Sequence, residues 1–112
     1  MMEAITYAGD GWSVVKEFAG WKIGFLRYNE RFSKVEEMER HLETDEVFIL
    51  LEGAATLYTG NQNCVMEKKI LYNIPKGEWH HIVVSEDATV LVVENSNTSK
   101  ANTEKKLLMK QD

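Results

Sequence analysis

Two stretches of the sequence decide the fold: HLETDEVFILLEG at residues 41–53 and PKGEWH at residues 75–80. The first has the spacing His-x4-Glu-x6-Gly, and the second has the spacing Pro-x-Gly-x2-His. The chain has three histidines, and all of them lie within or directly beside these stretches, at His41, His80 and His81. The single proline opens a turn, where its missing N–H group costs no hydrogen bond of a sheet.

Short apolar or alternating segments lie on both sides of these two stretches. Turn residues such as Gly53, Gly60 and Asn61 separate them. A series of short strands divided by such turns is typical of an all-β sandwich or barrel. We therefore predict strands at residues 12–18, 21–28, 47–51, 54–58, 64–66, 70–74, 81–84 and 89–94.

Two further segments have a different character. Phe32, Val35, Met38 and Leu42 follow helical spacing, which predicts a short amphipathic helix or an irregular segment over residues 32–42. After Asn95 the sequence becomes polar, and we expect a weakly structured tail at residues 96–112. No repeat or second apolar region divides the chain, so a single domain over residues 1–112 is predicted.

The two stretches together resemble the two cupin motifs. In full, the first motif is Gly-x5-His-x-His-x3–4-Glu-x6-Gly and the second is Gly-x5-Pro-x-Gly-x2-His-x3-Asn. The resemblance runs from Glu39 to about Val84, and the predicted strands extend it over most of the chain. It implies a double-stranded β-helix, the RmlC-like cupin jelly-roll barrel, with about eight to ten strands. It also implies a homodimer.

The same resemblance implies a metal site. In metal-binding cupins the motifs supply three histidines and a glutamate, which here correspond to Glu39, His41, Glu46 and His80, with Glu39 in the first histidine position. Two imidazoles and a carboxylate suit iron(II), and a second carboxylate favours manganese, iron or zinc over copper. We therefore expect a divalent ion (Fe, Mn, Zn or Ni) that faces a small-molecule ligand.

The sequence departs from the cupin pattern at three positions. Besides Glu39, Lys69 replaces the leading glycine of the second motif and Val84 replaces its final asparagine. These departures keep two alternatives open. One is a metal-free pocket that binds or senses a small ligand, and the other is a metal-free sugar isomerase or epimerase with His41 or His80 as general base. Glu39 also fits the charged face of a plain helix.

Aromatic residues near the motifs are candidates for the pocket wall. We name Trp79, Tyr72 and Phe25, although such residues more often belong to a core than to a ligand site. His81 follows His80 directly. In a strand, neighbouring side chains point to opposite faces, so His81 is expected outside the metal site.

Composition and charge narrow the classes of partner. The formal net charge of −5 disfavours direct binding to nucleic acid or to an anionic membrane surface, since both require cationic surfaces. The N-terminus lacks the basic and apolar regions of a secretory signal. The single cysteine, Cys64, cannot form an intramolecular disulfide, which fits a reducing compartment. We therefore expect a cytoplasmic protein with a small-molecule ligand.

Overall fold

Two five-stranded antiparallel sheets share one apolar core in the computed structural model, which describes residues 1–108. The strand order is β1-β2-β9-β4-β7 in the first sheet and β10-β3-β8-β5-β6 in the second. From β3 to β5 and again from β7 to β10, the chain passes from one sheet to the other with each new strand. The strands are β1 Trp12–Phe18, β2 Trp21–Arg27, β3 Glu37–His41, β4 Glu46–Glu52, β5 Ala55–Thr59, β6 Asn63–Val65, β7 Leu71–Ile74, β8 His80–Val84, β9 Thr89–Asn95 and β10 Thr103–Leu107.

The core follows from the alternation of side chains along the central strands. On β9, Val90 and Val92 are fully buried while Leu91 and Val93 between them are partly exposed. Because alternate residues of a strand share a face, β9 presents one apolar row to the interior. The buried residue that continues this row is Glu94. An ionisable carboxyl group therefore extends an apolar face at one end of the core.

The all-β prediction is confirmed, and the predicted strands lie within one or two residues of the observed ones. The helix predicted over residues 32–42 is wrong, because β3 occupies Glu37–His41 and pairs with β10 along its full length. Hydrogen bonding to distant strands overrides the local helical spacing there. Part of the predicted weakly structured tail is likewise a strand, since β10 covers the edge of β3. Residues 109–112 of that tail lie outside the described residues.

Helical structure in the described part of the chain consists of two short 3₁₀ turns. They span Glu30–Phe32 and Lys100–Asn102, three residues each. The first turn packs its buried Phe32 into the core beside β8. Across residues 1–108, none of the helices has the length and apolar character that a membrane span requires.

Candidate metal centre

Four side chains converge at one end of the barrel. Glu39, His41, Glu46 and His80 each offer one nitrogen or oxygen atom, and these four atoms all lie within 4.8 Å of one another. Oε1 of Glu46 is central, at 3.2 Å from Nε2 of His41 and 2.9 Å from Nε2 of His80. Three of the four residues are buried, and Glu39 is partly exposed. The sequence-predicted ligand set is therefore brought together as one cluster.

Both sheets contribute to this cluster. Glu39 and His41 lie two positions apart on β3, so their side chains share a face. His80 begins β8 and pairs directly with Glu39 across the second sheet. Glu46 begins β4 in the first sheet. An ion bound by all four residues would connect the two halves of the barrel.

The two histidines are oriented through their second ring nitrogens. Nδ1 of His80 lies 3.0 Å from the carbonyl oxygen of Glu78, and because a carbonyl only accepts, Nδ1 carries a proton. Nδ1 of His41 lies 2.9 Å from the hydroxyl of Thr103 on β10. Such contacts fix the ring and leave Nε2 to bind a metal. Both Nε2 atoms point to the same carboxylate oxygen.

In the metal-free cluster, protons on the two histidines balance the negative charge of the Glu46 carboxylate. Burial alone would raise the pKa of Glu46, but the hydrogen bonds and charges of His41 and His80 lower it to about 2. Burial alone would lower the pKa of each histidine, but the hydrogen bond and charge of Glu46 outweigh it and raise both values. The metal-free site thus favours cationic imidazoles around a carboxylate. A divalent cation would replace those protons.

A fifth ionisable residue, Glu94, was missed by the sequence analysis. It pairs with Glu46 in the β4–β9 register and lies 3.6 Å from the amine of Lys22. Burial, followed by the charge and hydrogen bond of Glu46, raises the pKa of Glu94 to about 7. The signal was present in the sequence, because Glu94 continues the row of Val90 and Val92 on a face that is otherwise apolar.

A cavity of about 580 Å³ opens from this cluster. Such a volume lies in the range of small-molecule sites. Its wall combines the ligand cluster with apolar side chains, with polar groups of the C-terminal segment and with three basic side chains. The lining residues are Trp12, Leu26, Arg31, Phe32, Glu39, His41, Glu46, Phe48, His80, His81, Ile82, Val92, Glu94, Ser99, Lys100, Thr103 and Lys105.

The three aromatic residues named as wall candidates lie elsewhere. Phe25 is on the face of β2 opposite to Leu26, and Leu26 is the residue that lines the cavity. Tyr72 packs against the apolar core. Trp79 lies under the guanidinium group of Arg40, at 4.6 Å from the ring centre. Strand alternation and the turn before β8 account for these positions.

His81 is separate from the ligand cluster, as alternation along β8 predicts. It is nevertheless buried, with 5% of its surface exposed, and it contributes to the cavity wall. Its ring stacks on Phe32 with centroids 6.1 Å apart. The 3₁₀ turn that carries Phe32 therefore covers a position that would otherwise face solvent.

Comparison with known proteins identifies the fold. No protein-family model and no curated protein matches the sequence. Among solved structures, a cupin-2 domain protein of Shewanella frigidimarina is 24% identical, with a TM-score of 0.65 over 80% of this chain and 84% of that one. Streptomyces Pac13, a nucleoside dehydratase solved with uridine, is 6% identical, with a TM-score of 0.71 over 93% and 84%. KdgF of Halomonas sp. is 13% identical, with a TM-score of 0.62 over 75% and 77%.

These likenesses establish the fold. The chain has an all-β, single-domain cupin jelly-roll fold. At identities below 25% they describe the fold and leave the reaction open. The particular feature of this chain is its candidate metal centre, in which a carboxylate stands at residue 39 beside Glu46 and the two histidines.

Proposed function

We propose that the protein binds a divalent metal ion through His41, Glu46, His80 and Glu39, and that it binds or acts on a small organic molecule in the barrel. One observation carries this proposal. Four potential ligand atoms lie within 4.8 Å of one another at the wall of a cavity of about 580 Å³. Acidic residues scattered over a surface lack this arrangement, in which two carboxylates converge with two oriented imidazoles.

The donor set fits a metal of intermediate hardness. Two imidazole nitrogens and two carboxylates suit iron(II), manganese, zinc or nickel. The contacts at the Nδ1 atoms of His41 and His80 leave their Nε2 atoms for coordination. When bound, the ion would supply Lewis-acid polarisation of an oxygen on the organic ligand.

The chain's own residues define the space for that ligand. Phe48, Ile82 and Val92 form apolar wall next to the cluster and limit access of water. Glu94 places another carboxyl group beside Glu46. The site therefore combines an apolar surface for the body of a ligand with a polar end for its reacting or recognised group.

Elemental mass spectrometry of untagged protein purified without chelators tests the metal. The measurement is repeated after separate supply of iron, manganese, zinc and nickel. We expect near-stoichiometric metal in the wild type, a loss in His80→Ala and a smaller loss in Glu39→Ala. His81→Ala is the matched control, because it removes a buried histidine from the same strand but outside the cluster.

The outcome distinguishes a metal-binding protein from a metal-free one. Metal that is retained by His81→Ala and lost by His80→Ala supports the proposed centre. A wild type that binds none of the four ions would overturn the proposal. The search would then turn to organic ligands of a metal-free barrel.

A further inference from the structure

Residue 39 is the position at which this chain departs from the histidine of the cupin motif. The two oxygens of its carboxylate have different neighbours. Oε1 faces the cluster, 3.9 Å from Nε2 of His41. Oε2 lies 3.1 Å from a guanidinium nitrogen of Arg31, which donates a hydrogen bond to it. One carboxylate thus has an oxygen on the candidate metal centre and another held by a cation.

Arg31 is itself held by the 3₁₀ turn that contains it. Its guanidinium carbon lies 4.9 Å above the ring of Phe32, which is buried in the core. The arginine therefore projects from a packed segment towards Glu39, although its side chain is 38% exposed.

An orienting contact of this kind completes a pattern. His41 is oriented by Thr103, and His80 is oriented by the carbonyl oxygen of Glu78. A histidine at residue 39 would have a rigid ring, whereas a glutamate has three rotatable bonds and can turn away from the centre. A flexible carboxylate that serves as a ligand therefore needs another group to hold it in place.

We propose that Arg31 is the positioning residue that holds Glu39 as a metal ligand and so compensates for the missing histidine. This inference rests on the metal site of the proposed function. If Arg31 acted only through its charge, its effect on metal affinity would have the opposite sign, because a cation near the site repels a metal ion. Removing Arg31 would then tighten metal binding. The direction of the change in affinity decides between positioning and repulsion.

Metal titration against a chromophoric chelator measures this direction. Mn²⁺, Zn²⁺ and Ni²⁺ are each titrated alone into wild type, Arg31→Met and Arg31→Lys. For the tightest-binding ion we expect roughly tenfold weaker affinity in Arg31→Met, the size typical of lost orienting contacts. Arg31→Lys is expected to lie between the two, since it keeps the charge but loses the planar fork of donors.

Arg40→Met is the matched control. Arg40 also donates to a glutamate, Glu104, at 2.7 Å, but this pair is outside the ligand cluster. Its affinity for the metal should equal that of the wild type. A second comparison uses Glu39→Gln, in which Arg31→Met should cause little further loss if Arg31 acts through the carboxylate.

Failure of this inference differs from failure of the proposed function. Unchanged or tighter binding in Arg31→Met, with a wild type that binds metal, overturns the role of Arg31. So does an equal loss in Arg40→Met. A wild type that binds none of these three ions, and that takes up no iron in the elemental analysis, overturns the metal centre itself. Circular dichroism of each variant confirms that the affinity is measured on folded protein.

Discussion

At the scale of single residues, the two motif positions Gly53 and Gly77 favour glycine for different structural reasons. Gly53 has a φ of +74° and Gly77 has a φ of +82°, which favour glycine at both positions. Only Gly53 is also crowded, because a Cβ there would lie 2.6 Å from the Cα of Ala88. A Cβ at Gly77 would meet no atom within 4 Å. The glycine that ends the first motif thus allows two backbone segments to approach.

Alanine substitutions should therefore have unequal costs. We expect Gly77→Ala to lower the free energy of unfolding by about 1–2 kcal/mol through its left-handed backbone. Gly53→Ala should cost about 1–3 kcal/mol more, because its Cβ overlaps backbone atoms that cannot turn aside. Urea unfolding of both variants measures the difference. Equal losses would show that the contact with Ala88 relaxes without cost.

The cluster of acids and histidines also makes stability depend on pH. Glu46, with a pKa of about 2, contributes stability above pH 4.5 that is lost as the pH falls towards 2. Glu94, with a pKa of about 7, contributes stability below pH 4.5 that is lost as the pH rises through 7. The raised pKa values of His41 and His80 act in the same direction as Glu94, with losses above pH 6.5.

We accordingly expect these groups to stabilise the metal-free protein most near pH 4.5 and less as the pH rises. Urea unfolding between pH 4 and pH 9, in the presence of a chelator, gives the profile. In Glu94→Gln the decline between pH 4.5 and pH 7 should become shallower, because the titrating carboxyl is gone. A stability that increases steadily from pH 5 to pH 8 would contradict the assignment.

At the scale of elements, the sequence was sufficient to predict a strand when the strand's own residues carry the apolar pattern. Strand β1 spans Trp12–Phe18 as expected, and the alternation of β9 was readable from its valines. Strand β10 was not predictable in the same way, because the residues of TEKKL are mostly exposed and polar. Its pairing with β3 depends on a contact between distant parts of the chain.

In the candidate site, too, the residues of the motifs were predictable, and the residues that reach the site from distant segments were not. The resemblance to the cupin motifs predicted that His41, Glu46 and His80 converge, and the structure brings them together. Arg31 and Thr103 belong to no motif. They reach the cluster only because a 3₁₀ turn and the last strand pack beside it. Tertiary packing, rather than local pattern, determines such supporting contacts.

Strand β10 should therefore affect metal binding as well as folding. Thr103→Val keeps the shape of the side chain but removes the hydroxyl that contacts Nδ1 of His41. We expect roughly tenfold weaker metal affinity, measured by the chelator titration. Thr103→Ser retains the hydroxyl and should bind nearly as the wild type does. Equal affinities in all three proteins would show that His41 is oriented without this contact.

At the scale of the whole molecule, the ligand cluster brings residues of both sheets together at one end of their shared core. Glu46 comes from the first sheet, while Glu39, His41 and His80 come from the second. Unfolding separates these sheets and destroys the site. A metal that binds only the folded chain therefore stabilises the entire barrel, and the size of the effect follows from its concentration and affinity.

We expect thermal unfolding to shift upward as metal is added. At a free metal concentration 100 times the Kd, binding contributes about 2.7 kcal/mol. For a domain of this length that corresponds to an increase in Tm of roughly 10 °C. His80→Ala should lose the shift although its fold persists, and His81→Ala should retain it, because His81 is outside the cluster. An equal shift in His80→Ala would mean that the ion binds elsewhere on the chain and does not join the two sheets through this centre.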